Sequence, residues 1–294
     1  MTTNTACRQI YAPVILIPPM RAIYRRLTFC ALLALSAVAE ASPRLYIFDC
    51  GLLSFEDVSR FSVENHETDV RQMFVPCYLI EHEEGRLLWD AGLPLDIAGS
   101  GPVDRRPGTW IRYDVSIVDQ LSALGLTPGD IDYLAVSHLH FDHAGGVKAF
   151  VASTLLIQQA EYEAAFQRAE EISGYEPRLY SALEDSDRVL LNGDHDVYSD
   201  GTVRIISTPG HTPGHQVLLV NLPETGPIVL SGDLYHFEES RAWRRVPTFN
   251  VDAEQTLASM DKIEHLLEET GATLWIEHNL ELANELRKAP GFYE

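Results

Sequence analysis

Basic residues are scarce in this chain. Its 294 residues hold 22 lysines and arginines against 43 aspartates and glutamates, a formal charge of −21. Nucleic acid and anionic membrane surfaces are repelled by that balance, so neither is expected as a partner. A small neutral ligand suits it best, although a local basic patch is not excluded. Cysteine is also rare, with four in all (Cys7, Cys30, Cys50, Cys77), too few for a disulfide-stapled scaffold. Internal repeats and low-complexity tracts are absent, and no apolar run is long enough to span a bilayer stably. With 46% hydrophobic and 22% charged residues, the chain reads as globular, with length for one large domain or two small ones.

The N-terminus reads as a targeting segment. From Met20 come Arg21, Arg25 and Arg26, then an apolar run from Leu27 to Ala39, then Ala39-Glu40-Ala41 before Ser42. This is the layout of a secretion signal with an A-x-A cleavage site near Ala41/Ser42. Residues 1–19 read as an upstream extension with Met20 as the start. Bulky Phe29 beside Cys30, ahead of most of the apolar run, argues against a lipoprotein anchor. The expected mature protein is a single domain, 42–294, exported to the periplasm or secreted, without a stable membrane anchor. Losing 1–41 removes four arginines and one glutamate, making the charge three units more negative. Only Cys50 and Cys77 then remain. In an oxidising compartment they could pair, but both lie in strand-like apolar runs, and buried free thiols are the first expectation.

Periodicity predicts strands at 44–49, 76–82, 86–90, 133–136, 154–157, 203–207, 216–220, 227–231 and 273–276. Helices are predicted at 115–124, 145–150, 159–171, 252–269 and from about 279. Several strands come in adjacent pairs, so a mixed sheet layered with helices is expected rather than a doubly wound parallel one. Two stretches, 52–75 and 94–113, lack clear periodicity and carry Phe55, Phe61, Phe74, Trp110 and Tyr113. These are expected to be substrate-binding loops.

The densest chemistry is SHLHFDHAGG, residues 137–146. A loop leaving a strand points alternate side chains the same way, so His138 and His140 can converge on one ion while Asp142 and His143 turn to a second. A polar turn with solvated histidines is the competing reading. It weakens because further candidate ligands follow: His211 in STPGHTPGH, Asp233 in VLSGD and His278 in TLWIEH, each at or beyond the end of an apolar strand. His66, His82, His195 and His265 lack ligand spacing and read as surface or turn histidines. NGDHD (192–196) reads as a solvated hairpin, and Trp243 with Arg241, Arg244 and Arg245 as an ordinary surface face.

HLHFDH, TPGHTPGH, SGD and the late strand-borne histidine, in that order across nearly the whole mature chain, resemble the metallo-β-lactamase superfamily. The resemblance implies an α+β fold, a four-layer αββα sandwich with the site along one edge. It implies His138, His140 and His211 on a first ion, Asp142, His143 and His278 on a second, and Asp233 bridging them. Asp90, in LLWDAGL, matches the superfamily's early strand-end aspartate, and His215 is a further candidate support. Two Zn²⁺ suit imidazole and carboxylate donors, and His140 stands where a diiron relative would carry Glu; Co²⁺, Mn²⁺ or Fe²⁺ are alternatives. Two ions about 3.5–4 Å apart share a water and lower its pKa, with Asp142 or Asp233 carrying a proton to the leaving group.

Within the superfamily the chain is most similar to the N-acyl-homoserine lactonases, which implies opening of a lactone ester in a small neutral acyl-lactone by a monomer or homodimer. It departs from them in one place. Their substrate-contacting tyrosine, three residues after the bridging aspartate, is here His236, and Tyr235 precedes it; both are candidate catalytic residues. The rivals are a glyoxalase II-like thioesterase, an arylesterase, a phosphotriesterase and an inert metal-binding relative. The thioesterase would carry glutathione-binding basic residues near the C-terminus, where only Arg287 and Lys288 are found. A β-lactamase of one major subclass would carry cysteine at Asp233. N-terminal sequencing of the protein exported by its host is expected to begin at Ser42; a start at Met1 or Met20 would overturn the leader.

Overall fold

In a computed structural model, Met1 and residues 42–294 are described; the rest of the expected leader, 2–41, lies outside the described residues. The strands among them, in chain order, are β1 (Arg44–Phe55), β2 (Gln72–His82), β3 (Gly85–Trp89), β4 (Val103–Arg106), β5 (Thr109–Arg112), β6 (Tyr133–Ala135), β7 (Thr154–Gln158), β8 (Arg188–Leu191), β9 (His195–Asp196), β10 (Val203–Ser207), β11 (Gln216–Leu222), β12 (Gly226–Leu230), β13 (Thr273–Trp275) and β14 (Phe292–Tyr293). The helices are α1 (Ile117–Ala123), α2 (Gln159–Gln167), α3 (Pro177–Tyr180), α4 (Glu238–Trp243), α5 (Ala253–Thr270) and α6 (Leu280–Glu285). One mixed sheet runs β4-β5-β1-β2-β3-β6-β7-β8, with β14 on β1, and a second runs β13-β12-β11-β10-β9.

Alternation within the strands builds the layers. Leu45 and Ile47 of β1, Tyr78 and Ile80 of β2 and Trp89 of β3 pack against Ile205, Leu218, Val220, Ile228 and Leu230 of the second sheet. The residues between them (Phe48, Val75, Leu79, Leu88) face the other way, onto Ile117 and Leu121 of α1 and Ala164 of α2. Ile206, Val217, Leu219 and Val229 likewise face away from the first sheet, onto Met260, Ile263 and Leu267 of α5. Strands apolar on both faces need a cover on each, and the result is the expected four-layer αββα sandwich. Helix α5 starts where Asp252 accepts from Gln255 N–H and stops at Gly271, whose φ is 68°.

Several expectations need correcting. Cys50 and Cys77 are not free thiols but a disulfide, with Cα atoms 5.8 Å apart. They lie on paired strands β1 and β2, where the register shifts between Asp49 and Leu52. The stretches 52–75 and 94–113 are not simply loops: β1 runs on to Phe55, β2 begins at Gln72, and 103–112 forms the β4–β5 hairpin. The predicted helix at 145–150 is one 3₁₀ turn, Val147–Phe150. His82 is not a surface histidine; its side chain is buried, stacked on Tyr198 with Nε2 2.9 Å from Asp200.

Parallel pairing places the site. β3 pairs with β6 and β12 with β13, all four ending on the same side, so the loops after them converge. The glycines of HAGG serve that convergence. Gly145 donates to Gly92 O (2.8 Å) where the loop after β6 crosses the loop after β3, and a Cβ there would meet Pro94 N at 2.2 Å. Gly145→Ala is therefore expected to cost about 1–3 kcal/mol or more and to lower Tm in thermal unfolding. Gly129→Ala, whose nearest contact would be 3.6 Å, serves as the control. Equal Tm values for the two variants would refute the crossing as a packing constraint.

Candidate metal centre

Trp89 ends β3, and the next residue, Asp90, adopts a left-handed backbone at φ 57°. Such strain persists only where the surroundings fix it. Here its buried carboxylate accepts from Ser137 N–H (2.6 Å), Ser137 Oγ (3.0 Å) and His143 Nδ1 (2.7 Å). It thereby pins the start and the end of the histidine loop.

Five imidazoles each spend one nitrogen outward. His138 Nδ1 meets Ser137 Oγ (3.0 Å), His140 Nε2 meets Ser173 O (2.8 Å), and His211 Nδ1 meets Asn250 Oδ1 (2.9 Å). His143 Nδ1 meets Asp90, and His278 Nδ1 meets Phe74 O at 2.7 Å. A neutral ring whose outward nitrogen donates presents a lone pair on the other side. Three of these, on His138 Nε2, His140 Nδ1 and His211 Nε2, face one another at 2.8, 3.1 and 3.1 Å. Converging lone pairs repel unless a cation lies among them. Asp233 spans both nests: Oδ2 lies 3.1 Å from His211 Nε2 and 3.5 Å from His138 Nε2, while Oδ1 lies 2.9 Å from His278 Nε2 and 3.1 Å from His143 Nε2. Asp142 stands beside the second nest, 3.8 Å from His278 Nε2. His138, His140, His211 and Asp233 form one potential ligand group, and Asp142, His143 and His278 another.

Electrostatics separates the two nests. Burial and neighbouring imidazoles hold His138 and His140 well below the usual histidine range. Burial also opposes charge on His143 and His278, but the carboxylates outweigh it, led by Asp233 for both. His143 is raised well above the usual range and His278 to about 9. Burial likewise opposes ionisation of Asp233, yet the histidines around it, His236 first, hold it well below the usual carboxylate range. The negative charge thus draws in positive charge, as protons or as metal ions. A donor set of imidazole nitrogens and carboxylate oxygens fits a dinuclear divalent centre.

Further buried residues brace these ligands. His215, kept neutral by burial, accepts from Asp233 N–H through Nε2 (2.9 Å). Glu161 of α2 is buried and accepts from Leu139 N–H and Gly214 N–H, both at 2.9 Å, tying the two histidine loops together. Glu277, pushed up to about 8 by burial, accepts from Trp89 Nε1 (3.1 Å) and Gly232 N–H (3.0 Å), just ahead of Asp233. A lone acid in an apolar strand end (TLWIEH) was a readable signal for Glu277; no spacing announced Glu161 or Asn250.

A cavity of about 360 Å³ opens over the ligands, with Asp142, Asp233, His236 and His278 lining it. Of the expected aromatics, Phe55 and Phe61 line it. Phe74 is packed between the sheets and Tyr113 in the helix-covered core, while Trp110, on β5, is half-buried away from the cavity. Phe141, Tyr175 and Phe249 line it instead. Tyr235 also needs correcting as a substrate contact: it is buried against α5 with its hydroxyl on Glu264 (2.9 Å), whereas His236 turns to the cavity, Nε2 3.1 Å from Asp233.

A family model described as the metallo-beta-lactamase superfamily matches residues 70–270. The N-acyl homoserine lactonase AttM of Azorhizobium caulinodans is 33% identical, over 85% of this chain and 98% of its own length. The N-acyl homoserine lactonase AiiA of Bacillus thuringiensis subsp. kurstaki is 30% identical, over 74% of this chain and 85% of its own. A solved N-acyl homoserine lactone hydrolase with N-hexanoyl-L-homoserine at its metal centre superposes with a TM-score of 0.73 at 29% identity, covering 86% of this chain and 99% of that one.

Purified protein is expected to bind about two divalent ions per chain, and Asp233→Ala or His211→Ala to lose at least one. Because His278, raised to about 9, carries a proton at neutral pH, an ion must displace it. Binding should then release protons and weaken as pH falls. Elemental analysis and calorimetry in buffers of different ionisation heat check both points; full occupancy in either variant would sink the assignment.

Proposed function

The chain belongs to the metallo-β-lactamase superfamily, and on that premise we propose that it hydrolyses lactones, N-acyl homoserine lactones first among them. The observation that carries this reading is Asp233 spanning two histidine nests on the floor of a cavity walled by Phe55, Phe61, Phe141 and Phe249. The reaction cleaves the ester bond between the ring carbonyl and the ring oxygen, leaving a carboxylate and a free alcohol. The ions, Zn²⁺ by donor type, supply Lewis acidity and a water of lowered pKa. The chain's own side chains do the rest. The aromatic walls take the acyl arm and exclude water, which strengthens every polar contact within. Asp142, at the cavity edge, takes the proton that the attacking water loses and passes it to the departing ring oxygen. His236, which lines the cavity with Nε2 3.1 Å from Asp233, takes the place of the lactonases' tyrosine.

We further propose export. The segment before Ser42 has the layout of a leader, and the Cys50–Cys77 disulfide suits an oxidising compartment.

Zinc-loaded protein beginning at Ser42 is expected to release protons from acyl-homoserine lactones with kcat/KM of about 10⁴ M⁻¹s⁻¹ or more. A simple lactone, a thioester, a phosphotriester and a β-lactam serve as comparisons. Silence on the lactones with turnover of another ester would discard the substrate and keep the centre.

A further inference from the structure

The mouth of the cavity has the opposite charge to the rest of the protein. Three arginines line it, Arg60, Arg105 and Arg106. Consecutive strand residues normally face opposite sides, but the β4–β5 register breaks between Asp104 and Arg106. Such a bulge re-aims side chains, and here Arg105 and Arg106 both reach the cavity. Arg105 is paired with Glu176 and lies 4.3 Å over the Phe141 ring. The other two have no carboxylate within ion-pair distance among the described residues, although Asp142 acts on Arg106 from further off. Arg106 reaches only Thr109 Oγ1 (3.3 Å), and Arg60 lies 4.1 Å over Phe249 and 5.7 Å from Phe61. Glu176 is the one acid lining the cavity outside the candidate ligands Asp142 and Asp233, and Arg105 and Arg178 both hold it. In a chain of charge −21, two guanidiniums at the cavity without an ion-pair partner, one of them lying on an aromatic wall, point to an anion supplied from outside.

We propose that Arg60 and Arg106 are specificity-determining residues for an anionic arm, and that the preferred substrates are acyl lactones whose acyl chain ends in a carboxylate. This rests on the lactonase reading above and refines it. The ring goes to the floor, the methylenes lie along Phe61, Phe141 and Phe249, and the terminal carboxylate meets a guanidinium fork, whose planar donors suit it. A positive mouth on an acidic protein also steers such an anion inward, an effect that salt screens.

Two N-acyl homoserine lactones of equal chain length, one ending in methyl and one in carboxylate, test this. The carboxylate-ended lactone is expected to have a kcat/KM about tenfold higher or more at low salt. The ratio should shrink in high salt and move toward unity in Arg60→Ala with Arg106→Ala, and in the milder Arg60→Gln with Arg106→Gln. A ratio of unity or below in the wild type, or one that survives both double variants, overturns the proposal. Calorimetric binding of the two ring-opened products to the metal-loaded protein separates the two readings. A carboxylate preference there without turnover of either lactone keeps the arginine assignment and removes the lactonase reading. Turnover of the methyl-ended lactone without any preference does the reverse.

Discussion

Lone pairs that have nowhere to go set the terms for this structure. Five buried imidazoles each turn one nitrogen inward, and three of these, on His138, His140 and His211, crowd within 3.1 Å of one another. A protein interior does not tolerate that without positive charge, since unpaired polar groups in a dry setting cost roughly 1–3 kcal/mol each. The Asp233 carboxylate compensates only in part and adds its own demand for a cation. The centre is therefore a donor set suited to a pair of divalent ions, and the surrounding chain is shaped to hold those donors in place.

That holding is done by groups one step removed from the centre. Asp90 accepts a strained backbone to grip Ser137 and His143, Glu161 ties the backbone at Leu139 to that at Gly214, and Glu277 braces Gly232 from beneath. All three are buried carboxylates held by N–H and O–H donors rather than by arginine or lysine. Backbone donors are fixed in direction, so a carboxylate that collects several of them transmits the rigidity of one loop to the next. Two pairs of parallel strands bring those loops to the same edge, and the loop crossing at Gly145 closes the distance. The layers need to be no more than stable; their ends need to be in register.

Much of this was legible in the sequence, for a physical reason. The candidate ligands are histidines and carboxylates that sit where strands stop and follow one another in a set order, so HLHFDH, TPGH, SGD and the final EH declare themselves. What stayed hidden depended on register and side-chain direction. Cys50 and Cys77 pair because one strand slips against its neighbour between Asp49 and Leu52, and no local pattern encodes that slip. Phe74, expected to meet substrate with its ring, turns the ring inward and serves through its carbonyl, which receives His278 Nδ1. Tyr235 and His236 are adjacent, so one must face α5 if the other faces the cavity; the sequence allowed either, and the turn through Asp233 decides it.

Charge is partitioned by depth. The acidic excess that repels polyanions belongs to the exterior, where water screens it. At the floor of the cavity, carboxylates meet imidazoles and call for cations; at its mouth, guanidiniums lie on aromatic faces with one glutamate between them. A ligand entering this gradient passes from a negative surface to a positive mouth, crosses an apolar wall and ends at a Lewis-acidic floor. A lactone with an apolar arm satisfies the last two stages, and ring opening creates a carboxylate where the ligand itself had none. A floor built to hold cations thus favours the ring-opened carboxylate over the neutral ring it came from.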